Sequence, residues 1–151
     1  MKAARGPRGW VATAWPDRGV VCEGAVGFSW LGRSRFFRYE VHRWRDGVLP
    51  DRSEAAASPL RLSADKERAQ AVLDLVSAFP AATWGRDEMR TGEMWNSNSL
   101  VAWLLARSGH DTDGVSPPLH GSAPGWSAGL TVAAREAIAA RAGIESARAP
   151  R

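Results

Sequence analysis

The chain has 151 residues, of which 44% are hydrophobic and 24% are charged, as in a single soluble globular domain. Its formal charge of +4 comes almost entirely from arginines interspersed with acidic residues, so we expect no nucleic-acid partner. No apolar run reaches about 18 residues, which predicts that the chain has no membrane span. The basic first residues lack a following apolar segment, which predicts no signal peptide and a cytoplasmic location.

The side chains that commonly bind metals are few and scattered. A single cysteine, Cys22, excludes an internal disulfide, and the three separated histidines lack the spacing of a zinc site. We therefore expect no metal and no cofactor. Cys22 has no histidine near it in the sequence, which is typical of an inert buried thiol.

The first third of the chain has the composition of β-strands. Residues 1–8 are predicted to be a flexible N-terminus, and residues 9–15 and 20–26 could pair as a hairpin across a Pro-Asp-Arg-Gly turn. Residues 35–45 form the clearest predicted strand. Its alternation predicts an apolar face of Phe37, Tyr39 and Val41, and an opposite face of Glu40, His42 and Trp44.

Three helices are predicted in the remainder. The first follows a loop over residues 48–59, is capped by Ser63 and ends before Pro80. The third covers residues 131–141 and is closed by Gly143, which leaves 144–151 as a frayed C-terminus and 9–143 as one domain.

The second helix, residues 97–108, is the predicted centre of the fold. Asn96 is a suitable N-cap, and Trp95 and Leu100 have the spacing of a hydrophobic staple. Its apolar residues leave little polar face, so we expect the helix to be buried, and Gly109 ends it. The predicted fold class is therefore α+β, with an antiparallel sheet from residues 9–45 packed against this buried central helix.

Three motifs suggest a relationship to known proteins. They are Tyr39-Glu-Val-His-Arg-Trp44, Trp95-Asn-Ser-Asn-Ser99 followed by Val101-Ala-Trp103, and the Pro117-Pro118 loop that ends in Gly125-Trp126. With these motifs the chain resembles a bacterial family known only as a domain of unknown function. That family in turn is similar to the permuted papain-like group, which includes lecithin-retinol acyltransferase-like proteins and cell-wall peptidases.

The resemblance implies a papain-like fold and an ancestral acyl-transfer or amide-hydrolysis chemistry. In that group a histidine on an early strand works with a cysteine at the mouth of the core helix. Here the cysteine position holds Ser97 and the early histidine position holds Gly9. A serine hydroxyl needs a base within hydrogen-bond reach, whereas a helix N-terminus can activate a thiol. We therefore expect a non-catalytic protein that binds a small or acyl ligand or a protein partner.

The alternative is a serine hydrolase or acyltransferase that acts on amides or esters, with Ser97 as nucleophile and His42 as base. Ser97 could instead be a first-turn residue whose hydroxyl satisfies a helix amide. The strand alternation places His42 on the face opposite Tyr39 and Val41, and therefore away from the core if those two are buried.

The residues expected to form a pocket surround the start of the central helix. Asn96 could donate a hydrogen bond to an oxyanion, or it could be a plain N-cap. Asn98 could also be an oxyanion donor, or it could be a polar surface residue. We also expect the loop from Pro117 to Trp126 to cover this end of the helix as a lid. The full set of pocket residues is Trp95, Asn96, Asn98, Ser99, His120 and Trp126.

Overall fold

The computed structural model describes residues 3–5, 11–13, 19–43 and 60–148. Within these ranges the chain forms four strands followed by three helices, which confirms the α+β class. The strands are β1 (Ala3–Arg5), β2 (Val11–Thr13), β3 (Gly19–Ala25) and β4 (Arg38–Arg43), and the helices are α1 (Lys66–Leu75), α2 (Ser97–Arg107) and α3 (Trp126–Arg148). The predicted loop over 48–59, Trp44 and residues 149–151 lie outside the described residues.

Strand pairing is antiparallel, as predicted, but the partners differ from those expected. β1 pairs with β2, and β3 pairs with β4, so the described residues 11–13 do not pair with residues 19–25 as the predicted hairpin required. β1 also lies inside the N-terminus that was predicted to be flexible. The β3–β4 pairing places Cys22 opposite Val41, and Tyr39 is buried beside them. Both strands thus present an apolar face to one core, which stabilises this pairing.

The central helix is capped as predicted. The side chain of Asn96 accepts hydrogen bonds from the amides of Asn98 and Ser99, at 2.8 and 3.2 Å. Trp95 is fully buried and Leu100 packs against the same core, as a hydrophobic staple requires. The helix is less completely buried than expected, because Val101 is 47% exposed.

Helix α3 is much longer than predicted. It starts at Trp126 rather than near residue 131, and it runs through Gly143 into the predicted frayed C-terminus. An interior glycine costs a helix only about 1 kcal/mol relative to alanine, so the alanine-rich sequence on both sides continues the helix. Within the described ranges, no helix combines the length and the apolar character that crossing a membrane requires.

A small aromatic core joins the sheet to the helices. Phe79 stacks on Trp95 with the ring centroids 4.9 Å apart, and it meets Trp103 of α2 edge-on at 5.7 Å. Cys22 and Tyr39 bring the β3–β4 sheet into the same cluster. Helix α2 packs most extensively against α3. Phe79 connects the sheet to α2, because its carbonyl oxygen accepts from the thiol of Cys22 and its ring contacts Trp103. In the described part of the chain, the β3–β4 sheet and α2 therefore share one core, and α3 is the main packing partner of α2.

The crossing of α2 and α3 depends on small side chains. Ala102 is fully buried on α2, and Ala128, Gly129 and Ala133 are buried on α3. A Cβ atom added to Gly129 would overlap the carbonyl group of Ser99 and approach the Cβ of Ala102 within 2.8 Å. The two helices are therefore close enough for the start of α3 to bond directly with the start of α2.

Candidate functional site

The Asn-Ser-Asn-Ser segment lies where the N-terminal ends of α2 and α3 meet. The carbonyl oxygen of Pro124 accepts from the side-chain amides of Asn96 and Asn98, at 2.8 and 3.0 Å. The amide of Gly125 donates to the carboxylate of Glu93 at 2.9 Å. We refer to this hydrogen-bonded group as the α2–α3 latch, which consists of Glu93, Asn96, Asn98, Ser99, Pro124 and Gly125.

Ser99 is the buried centre of the latch. Its hydroxyl oxygen accepts from the amide of Asn96 at 3.1 Å and donates to the carbonyl of Gly125 at 2.8 Å. The first of these bonds completes a capping box with the Asn96 side chain. Since Ser99 is 0% exposed, both of its roles are structural and no solvent competes for them.

Gly125 is the residue that allows the latch to close. Its φ of +86° is a conformation that side chains with a Cβ rarely adopt. A Cβ at this position would lie 2.6 Å from the carbonyl oxygen of Met94 and 2.8 Å from Oγ of Ser99. The predicted set of pocket residues did not include Glu93, Pro124 or Gly125, although the predicted lid placed the last two near this end of the helix. The Pro-Gly-Trp sequence signals a turn there, but it does not reveal which groups the turn bonds with.

Ser97, the predicted alternative nucleophile, is exposed in the first turn of α2. Its side chain forms no hydrogen bond with any residue in the described part of the chain. The expected structural role is also absent, because Asn96 rather than Ser97 satisfies the first amides of the helix. Asn96 and Asn98 donate their side-chain amides to Pro124, so these amides are already bonded rather than set aside for an oxyanion.

The structure pairs the predicted base with a neighbour on its own strand. Nε2 of His42 lies 3.1 Å from a carboxylate oxygen of Glu40, and both side chains are partly exposed. Tyr39 is buried and Val41 packs against the core, so His42 lies on the other face of β4, as its alternation predicted. His120 is exposed at a positive φ of 65° in its loop. Among the described residues, no histidine forms a hydrogen bond with Ser97.

The C-terminal end of the predicted lid lies against the N-terminal end of α2. Pro124 and Gly125 bond to the first turn of α2, and Trp126 is partly buried beside it, which confirms the position expected for this segment. The middle of the loop is open to solvent, since Leu119 is 89% exposed.

An open, mainly apolar cleft of about 350 Å³ lies between this loop and α2. Of the predicted pocket residues, Asn98 and Trp126 line the cleft. Trp95 does not line it, because its ring is fully buried on Phe79 and its Nε1 donates to the carbonyl of Pro80 at 3.0 Å. The lining residues are Asn98, Val101, Val115, Ser116, Pro117, Ala123 and Trp126.

Cys22 has the environment predicted for it. The residue is 9% exposed, and burial raises the pKa of its thiol above the ordinary value of 9.0. A buried, protonated thiol is a poor nucleophile. No group of three or more His, Cys, Asp or Glu side chains within the described ranges is arranged to hold a metal ion.

Comparison of the chain with protein-family models, curated proteins and solved structures finds no match. The resemblance to the permuted papain-like group therefore stays a prediction from the sequence motifs.

Proposed function

We propose that this chain is a non-catalytic binding protein that takes a small acyl-type ligand in the cleft between α2 and the loop before α3. A permuted papain-like ancestry and a cytoplasmic location are part of the same proposal. The observation that carries it is the latch, because the side chains of Asn96, Asn98 and Ser99 are bonded to Pro124 and Gly125 rather than arranged to act on a substrate.

The surroundings of Ser97 support a role without catalysis. A serine hydroxyl is activated by a base that removes its proton, and none of the described histidines is bonded to it. His42 is engaged with Glu40 instead. The remaining groups described near the helix mouth are amides, carbonyls and the Glu93 carboxylate. That carboxylate accepts from the amide of Gly125 at 2.9 Å and forms no hydrogen bond with Ser97 in the described part of the chain.

The composition of the cleft supports an acyl-type ligand. Its walls are largely aliphatic, with Val101, Val115 and Ala123 around the ring of Trp126. Its volume of about 350 Å³ is at the small end of the roughly 300–1,000 Å³ found for ligand sites. Asn98 and the hydroxyl-bearing Ser116 supply polar atoms at its wall, which suits a ligand with one polar end and an apolar body.

The test is titration of the full chain with a fluorescent medium-chain fatty acid. Val101→Phe should fill the cleft and weaken binding by at least about tenfold, the loss expected when roughly 1.5 kcal/mol of apolar burial is removed. Val20→Phe is the matched control, because Val20 is 43% exposed on β3 and Val101 is 47% exposed. Equal affinity of both variants and the wild type, or no binding by the wild type, would contradict the proposal.

A serine hydrolase or acyltransferase is the second candidate, because Ser97 is exposed at the positive end of the α2 dipole. Labelling with a fluorophosphonate distinguishes the two functions. The matched control is Ser127→Ala, since Ser127 is also an exposed serine in the first turn of a helix, α3. Labelling that is lost in Ser97→Ala and retained in Ser127→Ala would favour the enzyme and exclude the non-catalytic proposal.

A further inference from the structure

The connection between β3 and β4 carries an unusual set of exposed aromatic side chains. It contains two short 3-10 turns, Ser29–Arg33 and Arg35–Phe37. Large apolar side chains are normally buried, and a cluster of exposed ones marks an interaction surface. The four aromatic residues are Phe28 (52% exposed), Trp30 (68%), Phe36 (64%) and Phe37 (47%).

The same connection is positively charged. Arg33 and Arg35 are exposed, and residues 26–37 contain no acidic residue. Within the described ranges neither arginine forms an ion pair with a carboxylate. We call the surface formed by Phe28, Trp30, Arg33, Arg35, Phe36 and Phe37 the aromatic–arginine tip.

The tip is held in place at its base. The amide of Val26 donates to the carbonyl of Phe37 at 2.7 Å, and the amide of Gly27 donates to the carbonyl of Trp84 at 2.8 Å. The hydroxyl of Ser34 accepts from the amide of Phe36 at 3.4 Å, which orders the second turn. The exposed rings are therefore presented by an ordered connection, so less conformational entropy is lost when they bind a surface.

We propose that the aromatic–arginine tip docks on an anionic lipid surface. Aromatic rings favour the boundary between headgroups and acyl chains, and guanidinium groups bind lipid phosphates and carboxylates. A tip with exposed rings, no acidic residue, and arginines that have no carboxylate partner among the described residues has the charge and polarity that such a surface complements. This inference concerns a different face of the molecule and does not depend on the proposed ligand cleft.

The geometry of the rings favours lipid over single-stranded nucleic acid. Stacking of bases requires open ring faces along a basic groove. The guanidinium carbon of Arg86 lies 5.1 Å from the centre of the Phe28 ring, and that of Arg35 lies 5.5 Å from the centre of the Phe36 ring. Each of these rings therefore has one face covered by a cation, which leaves fewer open ring faces on which bases could stack.

The test is co-sedimentation of the full chain with phosphatidylcholine vesicles, with and without phosphatidylserine. The double variant Arg33→Gln/Arg35→Gln should lower the partition coefficient for anionic vesicles by about 25-fold, since each surface arginine contributes about fivefold. The charge-matched control is Arg61→Gln/Arg141→Gln, which removes two exposed arginines outside the tip. It should weaken binding by less than about fivefold.

The apolar contribution is tested by a second matched pair. Trp30→Ala should weaken vesicle binding by roughly tenfold, because it removes a ring expected to enter the interface. Ile138→Ala is the control, since Ile138 on α3 is 67% exposed and Trp30 is 68% exposed. Circular dichroism should show the wild-type spectrum for each variant, because all the substituted side chains are exposed.

Three outcomes would overturn the proposal. The first is equal binding to vesicles with and without phosphatidylserine, and the second is equal losses in the tip variants and their controls. The third is binding of a labelled single-stranded oligonucleotide that depends on Trp30 and Arg33, with no binding to vesicles. Preferential binding to anionic vesicles that is lost only in the tip variants would support it.

Discussion

Replacement of Ser99 by alanine tests whether the Asn-Ser-Asn-Ser segment is a latch. The substitution removes the acceptor for the amide of Asn96 and the donor to the carbonyl of Gly125. That carbonyl still accepts from the amide of Gly129 at 3.2 Å, so it keeps a partner. The amide of Asn96 loses its acceptor, and an unsatisfied, partly buried donor lowers the stability by about 1–3 kcal/mol.

The lost bond to Gly125 adds about 1 kcal/mol, so we expect Ser99→Ala to lower the free energy of unfolding by about 2–4 kcal/mol in total. For a chain of this size the melting temperature should fall by roughly 4–16 °C. Urea unfolding followed by far-UV circular dichroism gives the free energy, and a thermal scan gives the melting temperature.

Ser97→Ala is the control two residues away. Ser97 is exposed and its side chain has no partner in the described part of the chain, so its loss should change the stability by no more than about 0.5 kcal/mol. If the two variants are equally stable, or if Ser97→Ala is the less stable, Ser99 is not the centre of a latch and our reasoning is wrong.

Gly125→Ala should destabilise the chain by about 2 kcal/mol or more in urea unfolding, because the left-handed backbone is strained by a Cβ that also meets the Met94 carbonyl at 2.6 Å. Gly143→Ala, with open space around its Cα, should instead stabilise α3 by roughly 0.5–1 kcal/mol, and a loss of stability would contradict the α3 boundaries. The amides of Thr91 and Gly92 hold the pKa of Asp87 below its ordinary value of 3.8. Asp87 therefore stabilises the fold fully above that ordinary value, and this stabilisation is lost as the pH falls through the lower pKa of the folded state. The stability difference between the wild type and Asp87→Asn should narrow as urea unfolding is repeated from about pH 6 to about pH 2. A difference independent of pH would show that the carboxylate charge plays no part.

The features that the sequence predicted correctly depend on neighbours within a few positions. The cap at Asn96 is recognisable because the amides it satisfies are two and three residues ahead. The orientation of His42 follows from the two-residue period of a strand, given that Tyr39 is buried. The α+β class follows in the same way from periodicities of two and of about 3.6 residues.

The assignments that failed depend on partners far apart in the chain. Residues 19–25 could pair with an earlier or a later strand. The pairing that buries the apolar faces of both strands is favoured, and the spacing of residues in the sequence does not reveal which pairing does so. The length of α3 is another example, because a single interior glycine at position 143 ends a helix only if the surrounding structure favours the break.

The character of the candidate site was also decided by tertiary structure. By itself the sequence placed Asn96, Asn98 and Ser99 at the mouth of a buried helix, where either chemistry or packing is physically possible. The predicted lid placed Pro124 and Gly125 near them, but only the folded chain shows that these residues, 26 to 28 positions away, bond with all three side chains. Close packing at Gly129 makes that approach possible. A hydrogen bond forms only between groups about 3 Å apart, and the crossing of α2 and α3 determines which groups come that close.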